Sequence, residues 1–128
     1  MASSSVAKKV LIIDDDNRNI FALKAVLKSR GFDCLTGNGA KEGMKHLSRE
    51  NNIGIVLLDM MMPEMDGYEM INTIRKGPYT NVPIISVTAQ AMVGDREKCI
   101  EAGANAYISK PIDVDELLGL LQHYLNVK

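Results

Sequence analysis

The sequence has no tryptophan, two phenylalanines, four prolines and two cysteines in 128 residues. Cys34 and Cys99 stand alone, with no CxxC pair and no neighbouring histidine pair. That excludes a zinc motif and a disulfide-stapled scaffold, and leaves two buried, reduced thiols as the expectation. Charge of one sign is also lacking. Fifteen Lys and Arg balance sixteen Asp and Glu, for a formal net charge of −1. There is no basic excess to hold a nucleic-acid backbone and no polybasic patch for a membrane surface. No apolar run approaches the roughly 20 residues of a membrane span. The opening "MASSSVAKK" lacks the apolar segment of a secretory signal, so residues 1–8 read as a flexible lead and 9–128 as one domain. A cytoplasmic protein is expected. No internal repeat, linker or low-complexity stretch interrupts the chain.

What is present is alternation. "KVLII" (Lys9–Ile13) is apolar and β-branched without a break, as suits a parallel strand buried on both faces. "NIFALKAVLKSRG" carries Ile20, Leu23 and Leu27 on one helical face, with Gly31 as its stop. The short, more polar "FDCLT" (Phe32–Thr36) predicts an edge strand, and "AKEGMKHLSRE" a weak helix. "IGIVLLD" (Ile53–Asp59) predicts the strongest strand, followed by the helix "DGYEMINTIRK", which Gly77 and Pro78 end. "VPIISVT" (Val82–Thr88), the helix "GDREKCIEAG", the short strand "AYIS" (Ala106–Ser109) and the helix "DVDELLGLLQHYL" complete the series. Asp113 and Glu116 have capping-box spacing at the start of the last helix. Five βα units specify a parallel sheet with helices on both faces, too few for a barrel. The flavodoxin-like (βα)5 arrangement, a three-layer sandwich of strand order 2-1-3-4-5, puts the short second strand at an edge and the two most apolar strands side by side. The last helix reaches the end of the sequence, so no attached effector domain is expected.

The unusual residues fall at strand ends. In "LIIDDDNR" the first strand runs into Asp14, Asp15 and Asp16. Asp59 ends the third strand, Thr88 the fourth, and Lys110 follows the fifth. All C-terminal strand ends of a parallel sheet lie on one edge, where open α/β folds bind ligands. With strands about 5 Å apart, Asp15 and Asp59 can share one ion, and the four-carbon stem of Lys110 can span the roughly 10 Å from its own strand. Two carboxylates at about 5 Å repel by roughly 3 kcal/mol at an effective dielectric near 20. A hard divalent cation with oxygen ligands relieves this, and Mg²⁺ (or Mn²⁺) suits a site with few carboxylates and retained waters. Such a site leaves coordination positions for a phosphoryl group, and a carboxylate can accept that group as a nucleophile. The hydroxyl of Thr88 and the ammonium of Lys110 would then offset charge on the phosphoryl oxygens. Asp16 reads as a cap or first-turn acid of the following helix.

"VLIIDDD", "LLDMMMPEMDG", "ISVTA" and "AYISKP" occur in that order, and the sequence resembles the receiver domain of two-component response regulators from Lys9 to about Val127. The resemblance implies Asp59 as phosphoacceptor. It implies Asp15 as a direct Mg²⁺ ligand, Asp14 acting through water, and Met61 lending its backbone carbonyl. It further implies Thr88 as the switch hydroxyl, Lys110 as a phosphoryl partner before a cis Lys110–Pro111 bond, and Tyr107 as the aromatic that moves with Thr88. Met61 and Gln90 fall where the family tunes phosphoryl lifetime. The implied donors are a histidine kinase or histidine phosphotransfer protein. The implied output surface is the fourth helix, fifth strand and fifth helix, acting on a downstream protein. The segment "AMVGDREKCIEAGANAYISKP" looks most like receivers of hybrid sensor kinases.

Rival readings fail on particular residues. "DDD" contains the D-x-D of haloacid-dehalogenase-type phosphatases, but "GDREK" lacks their further acid, and that family would need a larger chain with a cap. An EF-hand from Asp15 would need glycine where Ile20 stands and glutamate where Val26 stands. "GNGAKEG" puts Glu42 where a dinucleotide fingerprint requires its third glycine. Met60 to Met62 read as loop packing, not as soft-metal ligands. His46 and His123 read as solvent-facing. The alternative from another class is a receiver-like scaffold that binds a partner without phosphorylation.

Overall fold

The computed structural model describes residues 8–50, 52–63, 66–77, 81–89 and 94–125. Ten elements alternate: β1 Lys9–Asp14, α1 Asn17–Ser29, β2 Cys34–Asn38, α2 Ala40–Arg49, β3 Ile53–Asp59, α3 Gly67–Lys76, β4 Ile84–Thr88, α4 Asp95–Ala102, β5 Ala106–Ser109 and α5 Val114–Leu125. The strands pair in parallel in the order β2-β1-β3-β4-β5, as expected.

Successive residues of each inner strand feed opposite layers. Leu11, Ile13, Val56, Leu58 and Ile84 pack with Leu47 of α2, Met70, Ile71 and Ile74 of α3 and Cys99 of α4. Val10, Ile12, Ile55, Leu57 and Ile85 pack with Ile20 and Leu27 of α1 and Leu117 and Leu121 of α5. Side chains alternate across a strand, so a strand covered on both faces must be apolar at every position. That is why "VLII" and "IGIVLL" contain no polar residue.

β4 begins at Ile84 and not at Val82, and three further expectations shift. β2 lies two residues later than Phe32–Thr36. The Phe32 N–H donates to the Leu27 carbonyl, closing α1 through Gly31 at φ 91°, and the ring is buried in the α1/α5 layer. Phe32 therefore belongs to the helix exit, and pairing with β1 begins afterwards. His46 is half-buried, not solvent-facing: a ring nitrogen lies 2.9 Å from the Thr36 carbonyl oxygen. α2 can come this close because β2 and α2 meet at glycines, and a Cβ on Gly37 would sit 2.8 Å from the Gly43 nitrogen. Of the two free thiols, Cys99 is buried as expected but Cys34 only partly.

The helix starts follow the capping acids. Asp16 caps α1 and accepts from the Arg18 N–H at 2.9 Å. Asp66 does the same for α3 through Tyr68, and Asp113 for α5 through Asp115 and Glu116. A carboxylate at this position satisfies donors that the first turn leaves free. The segment Met1–Ala7, within the expected lead, and Gln90 lie outside the described residues.

Candidate functional site

The C-terminal edge of the sheet carries the chemistry. β1 ends at Asp14 and β3 at Asp59, which are 7% and 4% exposed, while Asp15 is exposed just beyond β1. One carboxylate oxygen from each of Asp14, Asp15 and Asp59 lies within 4.8 Å of the others. Lys110, in the turn after β5, brings its Nζ to 3.8 Å from Asp14 Oδ2 and 3.7 Å from Asp59 Oδ1. Thr88 is buried at the end of β4, and its carbonyl accepts the Lys110 N–H at 2.7 Å, which ties the two strand ends together. The Lys110–Pro111 bond is cis.

Backbone donors hold the two buried carboxylates. The Asp16 N–H donates to Asp14 Oδ1 at 2.9 Å, and the Met61 N–H to Asp59 Oδ1 at 3.0 Å. The Asp14 carboxyl is nonetheless held above its ordinary pKa. Burial is the main cause, and the neighbouring Asp59 adds to it against the opposing pull of the Asp16 N–H and Lys110. Among the described residues three carboxylates gather here, and the Lys110 ammonium pairs with two of them, so the pocket is short of positive charge. Hard oxygen donors converging within a few ångströms under such a deficit fit a hard divalent cation.

The structure thus brings Asp14, Asp15, Asp59 and Lys110 into one group with Thr88 on its rim. Asp16 is turned away, engaged with Arg18. Met61 follows Asp59 by two residues and is 46% exposed. Tyr107 lies two residues down β5 from Ser109, the register partner of Thr88, and is half-buried opposite Ser86. Burial, with Asp95 and Cys99 nearby, pushes its phenol up.

Sequence reasoning missed two features. It placed Lys110 against Asp59 but not against Asp14 as well. It also missed a cavity of about 560 Å³ that opens onto Asp14, Asp59 and Lys110, walled by Leu23 and Val26 of α1 and by Ile112. The apolar spacing of α1 was legible. That part of it faces a groove and not the closed core depends on where the turn after β5 runs.

The fold and the site together define an open α/β module of the flavodoxin-like type with an acidic pocket, bridged by Lys110, at the C-terminal edge of its sheet. The response regulator receiver domain model matches residues 10–122, and the chain belongs to that family, the receiver domains of two-component systems. Sensor histidine kinase RcsC of Salmonella typhi is 37% identical over 123 residues, 96% of this chain. The chain spans only 13% of that much longer relative. The polar-differentiation response regulator DivK of Brucella ovis is 31% identical over 121 residues, covering 94% of this chain and 98% of DivK. Among solved structures, a response regulator receiver protein from Pseudomonas putida superposes with a TM-score of 0.88 at 31% identity, covering 93% of this chain and 98% of that one. The receiver domain of a Pseudomonas aeruginosa sensor histidine kinase, with a magnesium ion coordinated in its active site cleft, gives 0.84 at 31% identity, covering 95% and 100%.

Proposed function

We propose that this chain is a cytoplasmic phosphorylation switch that takes a phosphoryl group onto Asp59 from a phosphohistidine of a sensor kinase or histidine phosphotransfer protein. The observation that carries the reading is the convergence of three carboxylate oxygens within 4.8 Å, two of them, from Asp14 and Asp59, on residues paired with the Lys110 amine. Asp15, Asp59 and the Met61 backbone carbonyl would hold Mg²⁺ directly, with Asp14 acting through water. A bound Mg²⁺ supplies charge neutralisation at the phosphoryl oxygens.

The rest is done by side chains. An Asp59 carboxylate oxygen attacks phosphorus, the P–N bond of the donor breaks, and the imidazole leaves with the electron pair and takes up a proton. The groove between α1 and the turn after β5 gives the incoming histidine an apolar approach that ends at Asp59. Lys110 then exchanges a carboxylate partner for a phosphoryl oxygen, and the Thr88 hydroxyl turns to another. Tyr107 follows Thr88 and alters the surface made by α4, β5 and α5. A polar groove of about 400 Å³ lies on that surface, lined by Arg96, Asn105, Tyr107, Glu116, Leu120 and Tyr124, and would receive the downstream protein. Hydrolysis of the acyl phosphate resets the state, with Met61 and Gln90 setting its lifetime. The chain acts only in its own phosphoryl transfer and dephosphorylation. Two free thiols suit a reducing compartment, and the near-neutral charge suits a protein partner in place of nucleic acid or membrane.

The test is intact-mass analysis after incubation with acetyl phosphate. One phosphoryl increment is expected with Mg²⁺, none with EDTA and none in Asp59→Asn. An increment that survives Asp59→Asn overturns the acceptor. None from acetyl phosphate or from a phosphorylated cognate kinase favours the phosphorylation-independent scaffold.

A further inference from the structure

Asp15 differs from its two companions. Asp14 and Asp59 are strand residues, buried and held by backbone N–H groups, whereas Asp15 is exposed on the β1–α1 turn. Its place depends on what holds that turn. The end of β2 does. The Gly39 N–H donates to the Asp14 carbonyl at 3.0 Å. The Asn38 side-chain amide donates at 2.6 Å to Asn17 Oδ1, in the first turn of α1, and reaches the Asp15 carbonyl at 3.4 Å. Asn38 is itself fixed, because its backbone N–H donates to Glu42 Oε1 of α2 at 2.7 Å. One neutral amide therefore clasps the turn at the Asp15 carbonyl and at Asn17, the Gly39 N–H holds the Asp14 side, and α2 anchors the clasp.

We propose that Asn38 is a positioning residue for the metal site. Through Asn17 and the Asp15 carbonyl it fixes the β1–α1 turn so that the Asp15 carboxylate is presented to a divalent cation already in place. This rests on the Mg²⁺-dependent reading above and names a residue that the reading does not use. The physical reason is preorganisation. A ligand on an untethered turn must be ordered when the cation binds, and that ordering weakens binding without changing the ligand set. Asn38 contributes no negative charge and no donation to substrate. Its loss should appear in cation affinity and not in the maximal rate of phosphoryl transfer.

The experiment titrates MgCl₂ alone into the wild-type protein, Asn38→Ala, Asn17→Ala and the double variant by isothermal calorimetry. The same proteins are then labelled with acetyl phosphate across a Mg²⁺ series. Asn38→Ala is expected to bind Mg²⁺ about tenfold more weakly. Its half-saturating Mg²⁺ for labelling should rise in step, and the rate at saturating Mg²⁺ should match wild type. Asn17→Ala reads the same bond from the other side, on an exposed first turn, should Asn38→Ala fold poorly. Because both act through one hydrogen bond, the double variant should be no weaker than the weaker single variant. A dissociation constant within twofold of wild type in both singles overturns the proposal. So do losses that multiply in the double variant, or a maximal rate lost at saturation. Absence of Mg²⁺ binding by the wild-type protein would instead sink the underlying reading.

Discussion

Lys110 is the residue on which the resting site turns. Its Nζ lies 3.7 and 3.8 Å from two buried carboxylates that also accept from backbone N–H groups. It is a monovalent stand-in for charge that the pocket needs in divalent form. Lys110→Ala should therefore act with opposite signs on two measurements. Removing a competing cation leaves the acids more negative, so the calorimetric Mg²⁺ dissociation constant should fall several-fold. Removing a phosphoryl partner should slow labelling by acetyl phosphate at least tenfold at saturating Mg²⁺, followed by intact mass. A slower rate with unchanged Mg²⁺ affinity would show that the ammonium does not bear on the resting carboxylates. Cys34 makes a second residue-level case, because burial pushes its thiol up to about 11. Burial disfavours the charged form, so the shift is upward and the thiolate fraction at pH 8 is about one in a thousand. Iodoacetamide should label native Cys34 slowly at pH 8 and rapidly once urea exposes it. Equal rates in the two states would contradict the burial.

At the scale of elements, glycines separate contact from propensity. Gly37 on β2 faces the backbone of Gly43 on α2, and a Cβ at either would collide, at 2.8 Å with a main-chain nitrogen or at 2.5 Å with Ile13 Cδ1. Backbone cannot give way as a side-chain tip can, so Gly37→Ala should destabilise by about 1–3 kcal/mol through displacement of α2. Gly119 lies mid-helix in α5 with nothing within 4 Å of its Cβ position. Gly119→Ala should stabilise by about 0.5–1 kcal/mol. Urea midpoints of the two variants should move in opposite directions. The sequence showed all ten elements because the two periods, unbroken apolar strands and amphipathic helices, follow from which faces are covered. It misjudged β2 because Phe32 has strand propensity, while its position is decided by the turn closing α1. The acids and the lysine of the site could be read because strand ends of a parallel sheet share an edge. The half-burial of His46, the second carboxylate of Lys110 and the Asn38 clasp could not. Each depends on how far one element slides over another, which periodicity does not encode.

For the whole molecule the site is a standing cost to stability. Among the described residues, three carboxylates with one ammonium carry a local surplus of negative charge inside a fold whose net charge is only −1. Asp14 registers it, because burial and Asp59 both resist its ionisation. Folding gathers these acids and the unfolded chain separates them, so part of the fold's stability is spent on their repulsion. Asp59→Asn removes one charge and also the Asp59–Lys110 pair. Lys110 keeps Asp14, so repulsion is the larger loss. In EDTA, Asp59→Asn should be more stable than wild type by about 1 kcal/mol, of the order expected at an effective dielectric near 20. Mg²⁺ should reverse the ranking. A cation that binds only the folded state stabilises it by about 2.7 kcal/mol at a hundred times its dissociation constant. The variant, which lacks one ligand, should gain less. Thermal melts of both proteins, each in EDTA and in saturating Mg²⁺, test this as a crossing. The wild-type Tm should lie below that of the variant without the cation and above it with the cation. Parallel shifts would mean that the acids are fully screened in the resting fold and that cation binding does not draw on their repulsion.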